Sequence, residues 1–545
     1  MTRLRRLGGR AAVWLLAILT IAPIGLVLLR SVVTPNGVTL AHYREAFTEP
    51  ANGQAWVNTL VVSLATVVFA TLLAIPLAWL VSRTDLPGAR RFKVLLLVPY
   101  IVPPYIGAIA WINLANPTVG WLNRAAGSTV FDIYSMTGVI WVTGLFFYTY
   151  MYVGCMSALE KVDPSLEDAA RMSGAGPMLV LQTITLPLIR PAILAGAFLV
   201  FAASASAFGV PALIASPARL HLLTTRIYGY VRTGGLDGLY TASALSAALL
   251  VMALAAWVLA ERLGGGGRIT TVTGKAAARS PIRLGRWRWP AFIAVSTVVL
   301  LTCLLPVAAI VLTSLMNIVG EFRWDNLTLD KYRYVLFTRP DTARGFVNSF
   351  VLAFGAATLA AAVGTVVAYV KGHPRFRASR LVESSVNLPY ATPGTILALG
   401  MILLWSWPLA LVDTLWILLI AYFAKDLSFA VRSVTTAVQQ TDVTLEEAAR
   451  VSGANLVTTF RTIWLPLLWP AIAAGWFLVF MPAFGELTMS VLLVGPGTDT
   501  VGTVLFALQE YADPPSASVL AVLILAFMLA AYTAATLLAP RARTE

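Results

Sequence analysis

The chain has 545 residues, 58% of them hydrophobic and 12% charged, with a formal net charge of +14 at pH 7. Soluble domains carry about a quarter of charged residues, so a mean hydropathy of +0.79 excludes a soluble globular protein and points to lipid. The surplus Lys and Arg residues are scattered over several short segments, which argues against nucleic acid as the partner.

A spanning helix needs roughly 20 mostly apolar residues, and twelve such runs follow in chain order. In the first half they lie near 11–33, 56–82, 93–113, 136–157, 190–214 and 240–260. The second half gives 290–315, 346–370, 384–407, 411–434, 470–494 and 515–539. The first run follows the basic stretch MTRLRRLGGR and lacks a small-x-small cleavage site before a soluble domain, so it is expected to be a signal-anchor helix. The expected fold is therefore an all-α polytopic membrane protein with twelve transmembrane helices.

Lys and Arg collect in loops that twelve spans place on one side: the N-terminus (Arg3, Arg5, Arg6, Arg10), the 83–93 loop, 261–288, the 371–380 loop and the tail (Arg541, Arg543). By the positive-inside rule that side is cytoplasmic and holds both termini. The same charges favour contact with anionic membrane lipid. Cys155 and Cys303 sit far apart inside apolar runs and are expected to pack, with neither a disulfide framework nor a metal site.

The chain repeats itself. VNTLVVSLA at 57–65 resembles VNSFVLAFG at 347–355, and Pro99, Tyr100 and Pro103 align with Pro389, Tyr390 and Pro393, all at an offset of 290. Further on, LPLIRPAI at 186–193 matches LPLLWPAI at 465–472, at an offset of 279. The shift assigns a loss of eleven residues to the outer loop at 114–135. Six spans per half give two parallel six-helix repeats, with units at 1–261 and 290–545. The Gly-rich, basic segment 262–289 is the linker.

One polar phrase recurs between the fourth and fifth spans of each half: EDAARMSGAG at 167–176 and EEAARVSGAN at 446–455. Ser165-x-x-Asp168 and Thr444-x-x-Glu447 read as capping boxes opening a short helix. Glu167, Ala170, Arg171 and Gly174 share one helical face, as do Glu446, Ala449, Arg450 and Gly453. Gly174 and Gly453 suit the left-handed residue that ends a helix. After them Gly176-Pro177, or Asn455, can start a second helix running to Leu186-Pro187 or Leu465-Pro466.

These two stretches, EDAARMSGAGPMLVLQTITLP (167–187) and EEAARVSGANLVTTFRTIWLP (446–466), resemble the cytoplasmic EAA loop of permeases in binding-protein-dependent (type I) ABC importers. Asp168 in the first copy and Glu447 in the second stand where that family usually has Ala. The resemblance implies that Glu167, Asp168, Ala169, Ala170, Gly174 and Pro187, and likewise Glu446, Glu447, Ala448, Ala449, Gly453 and Pro466, form docking knobs. Each would meet one of two copies of a cytoplasmic ATP-binding subunit, which carries the ATP and Mg. It also implies an extracytoplasmic substrate-binding protein and an inner-membrane location. A single chain with two six-span units is similar to the fused permeases of the ferric-iron importers, and FGVPALIASP (208–217) and FGELTMSVLLVGPGTDTVGTVLFALQEY (484–511) resemble their fifth-span exits. Related permeases move thiamine, phosphonates and polyamines. An ion-coupled secondary transporter is the alternative from another class.

The chain supplies no nucleotide chemistry of its own. TVTGKAAAR at 271–279 has Gly274-Lys275 but Ala276 in place of Ser or Thr, so it is no phosphate loop. His42, His221 and His373 show no metal-ligand spacing, and no catalytic cluster or bound cofactor is expected. Intramembrane charge is the informative asymmetry. Lys425, Asp426 and Glu486 stand where the other repeat has Phe146, Phe147 and Ala207. A charge at mid-membrane costs roughly 2.5–3.5 kcal/mol, so these groups either line a translocation route or gate, or form a structural ion pair. VPYIVPPYIG (98–107) and LPYATPG (388–394) place Tyr100, Tyr105 and Tyr390 at proline interruptions, which either border a cavity or are packing kinks.

Overall fold

The computed structural model of the protein describes residues 12–264, 281–372, 380–442 and 444–538. Arg3, Arg5, Arg6, Arg10, Arg268, the 271–279 stretch, His373, Arg541 and Arg543 lie outside them.

Eight unbroken helices are long and apolar enough to cross a bilayer: Pro50–Arg83, Met136–Lys161, Pro177–Ser206, Gly235–Ala260, Gly285–Ser314, Pro340–Gly372, Val457–Phe484 and Pro514–Ala535. Three more spans are bent pairs: Ala12–Thr20 with Ala22–Arg30 at 48°, Ala89–Ile101 with Pro104–Ala115 at 98°, and Arg380–Ala391 with Gly394–Trp405 at 119°. The twelfth position is held by the helix Leu415–Gln440. Its apolar character is interrupted by Lys425, Asp426 and Arg432, so it is the least lipid-like of the set.

The two halves match helix for helix. At the offset of 290, Pro50–Arg83 falls on Pro340–Gly372 and Pro104–Ala115 falls on Gly394–Trp405. At 279, Met136–Lys161 falls on Leu415–Gln440. The offset changes between these, where residues 116–135 of the first half, including a helical turn Trp121–Ala126, face a shorter 406–414 in the second. The second span packs on the fourth in each half, and both pack on the fifth. Between halves the first span crosses over: Ala22–Arg30 lies on Gly394–Trp405 of the other unit, and Leu305–Ser314 lies on Pro104–Ala115. This reciprocal crossing is what parallel repeats about a common axis produce. At the first of these crossings a Cβ on Gly400 would stand 2.4 Å from the Pro23 carbonyl oxygen, so the backbones meet with no side chain between them.

Proline explains the irregular turns. A proline removes one backbone donor and clashes with the carbonyl four residues back. Each of three Leu-Pro pairs, at 186–187, 305–306 and 465–466, is preceded by a five-residue π turn: Leu181–Thr185, Leu300–Leu304 and Phe460–Trp464. The wider turn relieves the clash and the helix continues. At Pro103 and Pro393 the chain instead turns sharply, by 98° and 119°, and Val102 before Pro103 is extended.

The last residues of the linker are ordered against the first half. Ile282 exchanges backbone hydrogen bonds with Arg83 and Asp85 at 2.9 and 3.1 Å, and the Leu284 N–H donates to the Asp85 carboxylate at 2.9 Å. The helix of the seventh span begins at Gly285, earlier than the apolar run itself.

Candidate functional site

Two helical hairpins project at the end of the bundle that carries the Arg83–Lys93 loop. The first opens with Pro164–Met172 and the second with Thr444–Val451. The cap is not the one expected from Ser165 and Thr444. Asp163 accepts from the Ser165 N–H at 2.9 Å, and Asp442 accepts from the Thr444 N–H at 2.9 Å. An aspartate suits this position because its carboxylate both accepts the N–H and faces the positive helix end. That hydrogen bond holds the Asp442 carboxyl below its ordinary range.

Both hairpins turn at glycine. Gly174 has φ +88° and Gly453 has φ +86°, the left-handed conformation that only glycine adopts without strain. The Ala175 N–H reaches back to the Ala170 carbonyl, and Ala454 to Ala449, both at 3.0 Å; this closes the helix end with a Schellman motif. A second helix then starts at Pro177, and in the other copy Asn455 accepts from the Thr458 N–H at 2.9 Å. It does not stop at Pro187 or Pro466. Through its π turn it runs straight on as the fifth span, so knob and span are one rod.

Glu167 and Glu446 do not lie on the outer face. Glu167 is 4% exposed and Glu446 0%. Glu167 accepts from the Thr185 hydroxyl at 2.8 Å and lies 3.5 Å from Arg83, whose guanidinium also donates to the Leu159 carbonyl at 2.9 Å. Glu446 accepts from the Tyr369 hydroxyl and the Trp464 indole N–H, each at 3.1 Å, and pairs with Arg450 at 2.6 Å. The glutamates therefore bolt each hairpin to the spans behind it. Asp168, Ala169, Glu447, Ala448, Gly174, Gly453, Pro187 and Pro466 are exposed, and Ala170 and Ala449 partly buried. Asp168 pairs with Arg171 at 3.2 Å. Each knob also exposes apolar side chains at equivalent positions: Met172 at 90% and Val451 at 89%, with Met178 and Val457 beside them.

At the centre of the bundle the charged groups are held by backbone. The Lys425 ammonium donates to the carbonyls of Thr392, Tyr390 and Pro389 at 2.5, 3.1 and 3.4 Å. These carbonyls lie where the ninth span breaks before Pro393, and that of Pro389 also accepts from the Thr392 N–H at 3.3 Å. The Glu486 carboxylate accepts from the N–H groups of Met489 and Ser490 at 2.7 and 2.9 Å and from the Ser490 hydroxyl at 2.6 Å, and Tyr422 hydrogen-bonds that hydroxyl at 2.6 Å. The ion-pair reading of these charges is thus replaced: among the described residues neither Lys425 nor Glu486 has an ion-pair partner within 4 Å. Tyr100 and Tyr390 occupy equivalent places at the two bends. Tyr100 stacks edge-on to Tyr150 at 5.6 Å, and Tyr390 edge-on to Phe429 at 5.2 Å. Tyr105 is buried in the first half's third span, and Gly209, Gly485 and Gly502 make room for Pro103 and Tyr105.

The family model of the binding-protein-dependent transport system inner membrane component matches residues 51–263 and 361–544. The chain belongs to this permease family. It is a multi-pass membrane protein and a permease subunit of a binding-protein-dependent transport system. The permease is similar to the ferric transport system permease protein FbpB of Actinobacillus pleuropneumoniae, with 24% identity covering 80% of this chain and 63% of that protein. It is 22% identical to the Fe(3+)-transport system permease protein FbpB 2 of Haemophilus influenzae, covering 94% of this chain and 95% of that one. The spermidine/putrescine transport system permease protein PotC of Escherichia coli is 26% identical over 43% of this chain and 88% of its own.

Sequence reasoning missed the residues that anchor the permease's knobs. Arg83, Thr185, Tyr369 and Trp464 come from other spans, and nothing in their local pattern announces a glutamate partner. Asp163 was legible: an aspartate directly before a proline is a common helix start.

Proposed function

We propose that this permease is the translocating subunit of an ATP-driven importer and that its cargo is ferric iron. Two units, 1–261 and 290–545, are joined by the linker 262–289. The basic end, with both termini, faces the cytoplasm. There the two knobs engage two copies of an ATP-binding subunit holding ATP and Mg, while a substrate-binding protein delivers cargo to the opposite face.

The observation that carries this reading is the duplicated build of the knobs. Each is bolted through a buried glutamate, continuous with the fifth span, and tipped by an exposed apolar side chain, Met172 or Val451. Exposed apolar groups on a polar hairpin mark a partner surface, and a rigid rod carries the partner's motion into the membrane. The iron cargo rests on the two ferric permease relatives, which match most of this chain, where PotC matches less than half. An ion-coupled secondary transporter fits less well, because Lys425 and Glu486 are each spent on backbone groups.

The test is co-purification with candidate ATP-binding subunits, followed by ATP-dependent uptake of radioactive ferric iron into cells. ATPase capture that is lost on Met172→Asp with Val451→Asp supports the reading. Uptake that proceeds on a proton gradient without any ATPase overturns it.

A further inference from the structure

One short helix recurs between the first and second spans of each half, at the end of the bundle opposite the knobs. It is Ala41–Thr48 in the first half, and Asp330–Arg333 continued by the π turn Tyr334–Thr338 in the second. Each is tied to the end of its first span by the same contact. The Tyr43 hydroxyl donates to the Ser31 hydroxyl at 2.9 Å, and the Tyr332 and Ser314 hydroxyls hydrogen-bond at 2.8 Å. Each packs inward on a fully buried residue, Ala46 or Val335.

The outward face is duplicated too. Leu40, Arg44 and Phe47 follow i, i+4, i+7 spacing and share one side of the helix. Leu329, Arg333 and Phe337 are their counterparts, with the one extra residue of the second copy taken up by the π turn. Leu40 and Leu329 are 66% and 67% exposed, and both arginines and both phenylalanines are exposed as well. Among the described residues neither Arg44 nor Arg333 has an ion-pair partner within 4 Å. A loop bathed in water gains nothing from large apolar side chains held outward at the same two places in both copies.

This face continues down the flank of the molecule. The Phe47 ring stacks on Trp56 of the second span, with 5.5 Å between centres and 16° between planes. Four residues apart from Trp56 onward, Leu60, Leu64, Val68 and Leu72 are exposed along that span, which makes this its lipid side. In the other half Val347, Phe350 and Phe354 are exposed at the start of the matching span. A soluble partner seated on the end of the bundle does not reach this flank.

We infer that the two short helices are leaflet anchors whose partner is phospholipid. Each half lays its helix in the headgroup layer of the leaflet opposite the knobs, with Leu and Phe against the acyl chains and Arg on a lipid phosphate. Interfacial helices bind in this way, an apolar face at the acyl boundary and basic groups among the headgroups, and a guanidinium pairs strongly with phosphate oxygens. The anchors set the depth at which the second span of each half begins, at Pro50 and Pro340.

The experiment uses the full-length permease carrying Cys155→Ala and Cys303→Ala, in nanodiscs of phosphatidylethanolamine and phosphatidylglycerol. A nitroxide is placed on Phe47→Cys or Phe337→Cys, and on Ser128→Cys in the exposed loop at the same end as the aqueous control. Electron spin resonance compares collisions with oxygen, which partitions into lipid, and with a water-soluble nickel chelate. The oxygen-to-nickel ratio at 47 and at 337 should exceed that at 128 at least fivefold. Leu40→Cys and Leu329→Cys give the same reading if a phenylalanine variant does not fold. A ratio at either position equal to that at 128 overturns the inference. So does a label that is water-exposed in the nanodisc and becomes shielded only when a substrate-binding protein is added, which would give the face to that protein. Native mass spectrometry then counts phosphatidylglycerol carried through detergent. Arg44→Gln with Arg333→Gln should retain two fewer molecules than the wild type, and equal retention overturns the phosphate contact.

Discussion

The Trp464 indole donates to Glu446 at 3.1 Å, and at the equivalent place in the other half the Thr185 hydroxyl donates to Glu167 at 2.8 Å. A bulky aromatic and a small hydroxyl do the same job, because what is held constant is a buried carboxylate that ties a hairpin to the start of the fifth span. The fastening is therefore a property of the fold, carried by different chemistry in each copy.

Glu446→Ala removes the acceptor shared by Tyr369 and Trp464. Losing an acceptor from buried donors costs about 1–3 kcal/mol, and the second hairpin should loosen from its span. Proteolysis of the 444–455 segment should accelerate while the first hairpin stays protected. Glu446→Gln, which retains one oxygen acceptor, should show a smaller effect. Equal protection in Glu446→Ala and wild type would show that the bolt is dispensable.

Gly453→Leu separates fold from docking. A Cβ at Gly453 meets nothing within 4 Å, and the only penalty is its positive φ, about 1–2 kcal/mol for an L-residue. The variant should insert and purify with a slightly lowered melting temperature, yet lose the ATP-binding subunit. Gly453→Asn, which tolerates the left-handed region, should keep most of that association. Retained capture in Gly453→Leu would move the docking surface elsewhere.

Lys425→Met tests whether the intramembrane ammonium is structural. Without it the carbonyls of Tyr390 and Thr392 at the ninth-span break lose their donor, at a cost of about 1–3 kcal/mol. The detergent-solubilised variant should melt earlier and accumulate less in membranes. Unchanged stability together with abolished uptake would instead give Lys425 a direct part in transport.

Asp442 provides a pH signature. Its carboxyl titrates below the ordinary value of 3.8 because the charged form accepts the Thr444 N–H. A depressed folded value means that the cap's contribution is complete above that ordinary value and is lost as pH falls through the lowered one. Amide exchange in residues 444–451 should therefore rise on acidification below about pH 4. Asp442→Asn caps without titrating, so its exchange should lack that acid-dependent rise.

The helical architecture was readable because each of its signals is local or periodic. Lengths of apolar sequence set the spans, Pro103 and Pro393 marked the two sharp breaks, and the change of offset located the shortened outer loop between the third and fourth spans. The polar phrase with Gly174 and Gly453 fixed the hairpins, down to the left-handed turn. Other expectations met a different outcome for physical reasons: Asp163 and Asp442, not Ser165 and Thr444, cap the hairpin helices. The Leu-Pro pairs were expected to end the second hairpin helix, but a π turn absorbs the proline and lets the rod continue. The glutamates of the repeated phrase, expected among the knob residues, are buried against Arg83 and Thr185, or Tyr369 and Trp464, and so hold the knobs to the spans.

Composition, hydropathy period and self-similarity thus determined, without any coordinates, that this is a doubled six-span membrane protein with two polar hairpins at one end, since those properties depend on neighbours in the chain. What holds Lys425 and Glu486 was decided only by the tertiary structure. Whether a charge in a span is met by a carbonyl or by a backbone N–H depends on how the chain folds around it, and no hydropathy pattern encodes that partner.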